Sequence, residues 1–248
     1  MEAFICMFLR RDEIQRIQRR EGNLADTKAR MNFFYREQRH SYDWSRRFYL
    51  WGRDTLLQKI EVPVGGAVLE VGCGTARNLI KLAKRNSTTS FYGLDASSLM
   101  LETARNRLCE LKLESQITLK LGLAETWSYA TDFDLQKPFD AILFFYSLSM
   151  IDDWKAAISV ACRNLRLGGR LYVVDFGDHN GMPSWYRRLG NMWFDYFALN
   201  RLFEMPDYFK QLEQTGQGKT QVINIGWGHA WAVIFTLISV QDGPNPDH

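Results

Sequence analysis

The sequence has no long hydrophobic run, few cysteines and little net charge, and each absence excludes a class of protein. No apolar stretch reaches the roughly 20 residues that cross a bilayer, and the apolar residues 1–9 are too few and lack the basic flank of a signal peptide. The four cysteines show neither disulfide nor metal-ligand spacing, so we expect a reducing compartment and no metal. The formal charge of +3 is too small to indicate a nucleic-acid partner.

The segment that begins at residue 68 combines a buried strand, a glycine turn and a helix. Residues 68–71 are apolar except for Glu70, Gly72-Cys73-Gly74 follows directly, and residues 78–85 have the pattern of a helix. Glycines let the backbone approach a ligand closely, and the unpaired N–H groups of a first helical turn point at that ligand. The segment therefore predicts a cradle for a nucleotide-type cofactor.

The spacing of this motif distinguishes two cofactors. A dinucleotide turn has Gly-x-Gly-x-x-Gly, and its third glycine would fall at Arg77, a large cation where helix and strand should pack closely. The pattern from Glu70 through Gly72 and Gly74 to Ala76 instead resembles the first motif of class I S-adenosylmethionine-dependent methyltransferases. Their cofactor has no pyrophosphate and needs no third glycine. A simple strand-to-helix turn would show the same glycines, so a second signal is needed.

An acid at the end of the next strand supplies that signal. Residues 90–94 have the pattern of a strand that ends in Asp95, and Ser97 or Ser98 can cap the following helix. In a doubly wound fold, an acid at the end of the second strand hydrogen-bonds a ribose diol. The two signals together predict S-adenosylmethionine as the cofactor and S-adenosylhomocysteine as its product.

Strand and helix patterns alternate five times in the middle of the chain, which predicts a mostly parallel sheet. The later strands are predicted at residues 117–121, 139–145 and 171–175, with a closing hairpin at residues 221–225 and 231–239. The hairpin places one antiparallel strand in the sheet. We therefore predict a Rossmann-like α/β fold, with a seven-stranded, mostly parallel sheet and helices on both faces.

The chain is long enough for one such domain with extensions. Residues 61–240 are predicted to form the methyltransferase domain. Residues 1–60 precede the first strand and are predicted to form a helical extension that caps the cofactor. Residues 241–248 are polar and contain proline, so we expect a disordered tail.

The carboxyl ends of the parallel strands meet at one edge of the sheet, and ligands of this fold bind there. The residues at those ends are the predicted cofactor-binding set: Glu70, Gly72, Cys73, Gly74, Asn78, Asp95, Ala96, Leu123, Ala124 and Tyr146. Leu123 and Ala124 offer an apolar slot for adenine, and recognition of the adenine amine falls to the backbone or to Glu125.

Three blocks of sequence carry a narrower resemblance. They are residues 35–54, with Tyr42-Asp43 and Gly52-Arg53-Asp54, residues 143–154, LFFYSLSMIDDW, and residues 172–178, YVVDFGD. Together they are similar to the diacylglycerylhomoserine N-methyltransferases of betaine-lipid synthesis, and the similarity extends from residue 35 to residue 203. The resemblance implies three methyl transfers, one per S-adenosylmethionine, onto the amine of a lipid-linked homoserine.

That reaction requires an uncharged amine, and a primary amine is largely protonated at neutral pH. The predicted proton acceptors are Tyr146, Asp175 and His179, and Tyr42 completes the predicted catalytic set. A quaternary ammonium product favours aromatic faces over a close carboxylate, which Tyr35, Tyr42 and Tyr146 can provide. The substrate carboxylate suits a planar arginine, so the predicted substrate-binding residues are Tyr35, Arg46, Arg47 and Arg53.

An aromatic-rich insertion at residues 181–205 interrupts the strand and helix alternation. Trp185, Leu189, Met192 and Tyr196 share one face of a predicted helix, with Arg187 and Arg188 between them. We expect this insertion to face lipid, as the peripheral contact of a cytoplasmic protein with the cytoplasmic face of a membrane. A substrate lid packed on the core is the alternative, in which case the basic N-terminal helix is the anchor.

Two other functions remain open. The same fold can methylate a membrane quinone or another small amphiphile at carbon or oxygen. A non-catalytic S-adenosylmethionine-binding module is the second alternative. The complete set of Glu70, Gly72, Gly74 and Asp95 argues against a non-catalytic domain, and Arg77 argues against NAD.

Overall fold

The computed structural model describes residues 52–61, 63–197 and 199–240. Most of the predicted N-terminal cap and the whole predicted tail lie outside these residues. The helices are α1 (Arg53–Lys59), α2 (Arg77–Ala83), α3 (Ser98–Leu111), α4 (Tyr129–Phe133), α5 (Trp154–Arg163), α6 (Ser184–Phe197) and α7 (Met205–Gln214). The strands are β1 (Ala67–Val71), β2 (Ser90–Asp95), β3 (Ile117–Leu121), β4 (Phe139–Phe145), β5 (Leu165–Phe176), β6 (Gly218–Ile225) and β7 (Ala230–Leu237).

The strands form one seven-stranded sheet in the order β3-β2-β1-β4-β5-β7-β6. The pairs among β1 to β5 are parallel, whereas β7 is antiparallel to both β5 and β6. The predicted α/β fold is confirmed, including the single antiparallel strand. This order brings the carboxyl ends of β1, β2, β4 and β5 to one edge, and the antiparallel β7 begins at that same edge.

Helices cover both faces of the sheet, as predicted. Because successive side chains of a strand point to opposite faces, Leu143 and Ile142 of β4 belong to different apolar clusters. One cluster includes buried leucines of α1, α2 and α3. The other includes Ile158 of α5 and Phe209 of α7. The central strands are therefore buried on both sides, which explains their nearly continuous apolar sequences.

Strand β5 differs from its predicted bounds. It begins at Leu165 rather than at residue 171, so Gly168 and Gly169 lie inside it rather than ending the preceding connection. Gly168 has a φ of 74°, and the pairing of β4 with β5 shifts register between Phe139 and Ala141. A glycine with positive φ inside a strand marks a bulge, and this bulge looks like a turn in the sequence.

Helix α1 enters the domain at the edge where the parallel strands end. A Cβ atom on Gly52 would overlap the side chain of Ile225 at the end of β6, and Gly52 has a φ of 77°. Leu56 and Leu57 of α1 are buried in the core. Among the described residues, no helix is long and apolar enough to cross a membrane.

Candidate functional site

The glycine turn after β1 is held between the ends of β2 and β4. The N–H groups of Gly72 and Cys73 both donate to Leu94 O, at 2.8 and 3.1 Å. Ser147, after β4, donates from Oγ to Val71 O at 2.9 Å. A Cβ atom at Gly72, whose φ is 73°, would overlap the Ser147 side chain. The turn therefore requires glycine here for conformation and for space.

Asp95 ties the end of β2 to this turn. Its Oδ2 accepts a hydrogen bond from Gly74 N at 2.7 Å, and its Oδ1 accepts one from Ser97 N at 2.8 Å. Ser97 is the N-cap of α3, since its side chain accepts from Met100 N. The structure thus places Asp95 against the glycine turn, at the edge where the sequence predicts ribose binding.

A buried polar chain connects β1, α2 and α1. Asn78 Nδ2 donates to Glu70 Oε1 at 2.6 Å, and Arg53 Nε donates to Asn78 Oδ1 at 2.9 Å. Burial raises the pKa of Glu70 to about 7, against the charge of Arg53. Glu70 Oε2 is also buried and has no hydrogen-bond partner among the described residues.

These features fit S-adenosylmethionine. The unsatisfied Glu70 oxygen suits the ammonium group at the methionine end of that cofactor. Asn78, predicted to bind cofactor, is fully buried and contacts Glu70 and Arg53. Arg53, predicted to bind the substrate carboxylate, is thereby placed on the cofactor side.

The predicted adenine side lies after β2 and β3. Ala124 is buried, and Ala96 and Leu123 are partly buried. Gly122 N donates to Asp95 O at 3.0 Å, which brings the end of β3 beside the end of β2. Burial raises the pKa of Glu125, and the charges of Asp152 and Asp153 add to the shift. The apolar slot that the sequence predicts is therefore next to Asp95.

Tyr146 lies at the end of β4 between the two halves of the site. It has a φ of 56°, and its N–H donates to Val174 O at 2.7 Å. Its ring meets Phe176 edge to face, with centroids 4.9 Å apart. Burial raises the pKa of Tyr146 well above its usual value, and Asp175 adds to the shift. The phenol therefore stays protonated at neutral pH, which disfavours the predicted role of proton acceptor.

Asp175 anchors the loop that follows β4. It is fully buried, and its carboxylate accepts from Ser149 N at 3.0 Å and from Phe176 N at 2.8 Å. Burial raises its pKa to about 6, against these hydrogen bonds. The carboxylate that the sequence offers as a proton acceptor is thus engaged with backbone amides. Its geometry supports a positioning role.

His179 belongs to a buried cluster that the sequence does not reveal. Its ring centroid lies 5.4 Å from that of His229 and 5.7 Å from that of Tyr186. Burial lowers the pKa of His179 to about 4, and the charge of His229 contributes. Tyr186 Oη lies 2.9 Å from His229 Nδ1.

Phe176 connects this cluster to Tyr146. Its ring contacts Tyr146 on one side, and lies 6.4 Å from the His229 centroid on the other. His229 precedes β7 directly, and Gly177 N donates to His229 O at 2.9 Å. The signal for His229 was available in the predicted hairpin, because an antiparallel last strand must begin at the cofactor edge. No motif in the chain distinguishes this histidine from the others.

Four predicted residues, Tyr35, Tyr42, Arg46 and Arg47, lie outside the described residues, so their assignments stay predictions. Cys73 is buried beside the glycine turn as an unpaired thiol. Burial raises its pKa well above the usual value.

The fold and site have relatives among known proteins. Residues 68–169 match a family described as a methyltransferase domain. The chain is 33% identical to a demethylmenaquinone methyltransferase of Tropheryma whipplei over 140 residues, 55% of this chain and 53% of that protein. It is 28% identical to a phosphatidylethanolamine N-methyltransferase of Cereibacter sphaeroides over 158 residues, 61% of this chain and 73% of that protein.

A solved structure agrees on the fold. The S-adenosylmethionine-dependent methyltransferase SibL, in its apo form, superposes with a TM-score of 0.63 at 21% identity, over 93% of this chain and 69% of that chain. The fold is thus shared with that methyltransferase, and residues 68–169 match a methyltransferase-domain family. The match spans about half the length of the quinone-methylating relatives, 53% and 58% for two of them.

Proposed function

We propose that the protein is an N-methyltransferase that converts diacylglycerylhomoserine to diacylglyceryl-trimethylhomoserine. The observation that carries the proposal is the wall of rings at the ends of β4 and β5, formed by Tyr146, Phe176 and Phe194 packed edge to face. Aromatic faces stabilise a quaternary ammonium without binding it as tightly as a carboxylate would. Asp175, the carboxylate near Tyr146, is already held by backbone amides.

S-adenosylmethionine supplies the methyl group in such a reaction, and the protein's contribution is alignment and exclusion of water. Glu70 and Asp95 are proposed to hold the two ends of the cofactor. Tyr146, between those residues and the ring wall, is proposed to face the acceptor nitrogen. Tyr35, Tyr42, Arg46 and Arg47 are proposed to complete the substrate site, on the strength of the sequence resemblance.

The relatives support two acceptors. The phosphatidylethanolamine N-methyltransferase acts, by its name, on a lipid amine, which matches the proposed chemistry. The demethylmenaquinone methyltransferase supports the alternative, methylation of a membrane quinone or another small amphiphile. The apolar ring wall can hold either, so the acceptor must be identified directly.

Lipid extracts test the proposal. Cells that make diacylglycerylhomoserine, but cannot methylate it, should accumulate the trimethylated lipid when they express this chain. The matched control is Asp95→Ala, which should lower the yield of the product at equal expression. If cells that express the wild-type chain keep diacylglycerylhomoserine unmodified and contain a newly methylated quinone, the alternative acceptor is favoured.

We also propose that helix α6 faces a membrane. Trp185, Leu189 and Met192, at helical spacing, are 63%, 49% and 47% exposed, and Arg187 and Arg188 are exposed between them. The opposite side of α6 faces the site, since Phe194 is buried against Phe176 and Gly190 lies against His179. The side chains of Trp193 and Tyr196 lie outside the described part of the chain.

The hairpin turn between β6 and β7 extends this surface. Trp227 at the turn is 74% exposed, and Gly181 N, just before α6, donates to Trp227 O at 3.0 Å. Two exposed indoles and two arginines suit the headgroup region of an anionic leaflet. The N-terminal 51 residues carry more basic than acidic side chains, so charge disfavours them as a cover for α6. We propose peripheral association with the cytoplasmic face.

Co-sedimentation with vesicles of phosphatidylcholine and phosphatidylglycerol tests the membrane proposal. Arg187→Glu with Arg188→Glu should weaken binding in a salt-dependent way, by about 1 kcal/mol per arginine. Trp227→Ser should weaken binding with little salt dependence. Lys84→Glu with Arg85→Glu, which reverses two exposed charges directly after α2, is the charge-matched control. Vesicle binding that is lost only on deletion of residues 1–20 would make the N-terminal segment the anchor and α6 a lid.

A further inference from the structure

Tyr186 and His229 join two elements across the substrate side of the site. Tyr186 belongs to the first turn of α6, and His229 immediately precedes β7. The phenol oxygen and the imidazole Nδ1 are 2.9 Å apart, a normal length for a hydrogen bond. His229 is 3% exposed, whereas Tyr186 is only partly buried. The pair therefore consists of a buried imidazole behind a more accessible phenol.

A series of neighbouring rings links Tyr186 to Tyr146. The Tyr186 centroid lies 6.0 Å from that of His229, and the centroids of Phe176 and Tyr146 are 4.9 Å apart. Phe176 lies between Tyr146 and His229. Neither Tyr146 nor Asp175 suits the role of proton acceptor, for the reasons given by their burial and hydrogen bonds. The reaction nevertheless requires that a proton leave the acceptor.

We propose that Tyr186 and His229 form the proton acceptor of the methyl transfer, with Tyr186 meeting the acceptor and His229 acting through Tyr186. The proposal rests on the proposed function for the nature of the acceptor, an amine that is protonated at neutral pH. It adds a route for the proton that must leave before each of the three transfers.

The proton moves in two linked steps. Loss of a proton from the acceptor ammonium leaves the electron pair of that N–H bond on nitrogen. This pair forms the new N–C bond as the methyl–sulfur bond of the donor breaks and leaves its electron pair on sulfur. That proton goes to Tyr186 Oη as the phenol proton goes to His229 Nδ1, with the other imidazole proton on Nε2. The result is a neutral amine and an imidazolium, which returns its extra proton to water.

The groups around His229 are compatible with a transient positive charge. His179 has its pKa lowered to about 4 by burial and by His229, so it is neutral at physiological pH and does not repel the imidazolium. The carboxylate of Asp178 lies next to Gly228, the residue before His229, since a Cβ atom there would overlap Asp178 Oδ1. Its negative charge also acts on His179. Burial raises the pKa of Tyr186 and of Tyr146, so both phenols remain neutral.

Initial rates between about pH 5.5 and 9 test the proposal, with the full chain, S-adenosylmethionine and diacylglycerylhomoserine in mixed micelles. His229→Gln keeps an oxygen that accepts from Tyr186 but cannot take up a proton. Its kcat should fall about 100-fold near neutral pH, and the acidic limb of the profile should move to higher pH, towards the ordinary pKa of the free amine. Tyr186→Phe removes one oxygen, keeps the ring contacts and should lose a similar factor. Cofactor affinity should be unchanged in both.

Tyr208→Phe is the matched control, because it removes a half-buried phenol that packs on Trp154, away from the site. It should keep the wild-type rate and profile. A wild-type kcat and acidic limb in either His229→Gln or Tyr186→Phe would overturn the proposal. A loss of activity that follows only from weaker cofactor binding or a lower Tm would also overturn it, since it would show a structural role.

The substrate that the wild-type protein methylates distinguishes a failure of this proposal from a failure of the proposed function. If it methylates a demethylated quinol and not the lipid amine, the proposed substrate is wrong. The same variants are then compared on the quinol, whose methylation at carbon or oxygen also releases a proton. The pair is supported or overturned there independently of the substrate.

Discussion

At the scale of single residues, Asp95 has the most direct predicted effect on the cofactor. Its carboxylate lies on the glycine turn, with hydrogen bonds from Gly74 N and Ser97 N. Asp95→Ala removes the charge-assisted hydrogen bond proposed to hold the ribose, worth roughly 1.5–3 kcal/mol, and should weaken S-adenosylmethionine binding at least about tenfold. Calorimetric titration measures the affinity. Unchanged affinity with an intact fold would contradict the assignment.

Glu70 should make stability depend on pH. Its pKa is raised to about 7 by burial, so the folded chain holds this proton more tightly than the unfolded chain does. Between about pH 4.5 and 7, rising pH therefore favours unfolding. Glu70→Gln should remove this pH dependence. Its free energy of unfolding should therefore rise relative to that of wild type by up to about 3 kcal/mol as pH rises to 7.

Urea unfolding of wild type and Glu70→Gln at several pH values measures that difference. The comparison is needed because other groups titrate in the same range. His179, with its pKa lowered to about 4, contributes in the opposite sense below its unfolded value, whereas Asp175, raised to about 6, acts in the same sense as Glu70. A difference between the two proteins that is constant with pH would show that Glu70 does not titrate as described.

At the scale of elements, a surface ion-pair network and buried leucines both connect helix α1 to the rest of the domain. Asp54 bridges Arg77 at 3.1 Å and Lys81 at 2.8 Å, but its side chain is 53% exposed. Leu57, by contrast, is buried in the core. Asp54→Asn should cost less than about 1 kcal/mol, whereas Leu57→Ala should cost about 2–5 kcal/mol. Denaturant unfolding measures both, and a larger cost for Asp54→Asn would reverse the assignment.

The elements also show which parts of the fold could be predicted. Strand β4 has its predicted bounds, because an uninterrupted apolar run leaves few alternatives. Strand β5 was predicted too short because Gly168-Gly169 has the composition of a turn, and only the pairing with β4 shows that it is a bulge. The short helix α4 (Tyr129–Phe133) was missed, since five residues carry little periodicity.

The sequence predicts the positions of site residues that lie at strand ends. It does not predict the properties of residues that depend on how the side chains pack. Glu70, Gly72, Gly74 and Asp95 lie together as predicted, since parallel strands end at one edge. The chemistry of Tyr146 depends on burial, which the sequence does not display, and this burial disfavours its predicted role as a base. His229 reaches the site only through the antiparallel pairing of β7 with β5.

At the scale of the whole molecule, helix α6 connects the proposed reaction with the proposed membrane contact. One side of α6 carries exposed apolar and basic residues, and the other packs on the ring wall. If α6 lies on a bilayer, the mouth of the site opens beside the headgroups. A diacyl substrate then needs no passage through water. The proposed acceptor and the proposed membrane contact are therefore consistent with each other.

A labelled transfer assay tests the proposed activity most directly. The purified chain receives S-adenosylmethionine with a deuterated methyl group, and vesicles present diacylglycerylhomoserine and a demethylated menaquinol together. Mass spectrometry of the extracted lipids should show one, two and finally three labelled methyl groups on the homoserine nitrogen, and none on the quinol. Label on the quinol alone, or on neither lipid, would contradict the proposed function.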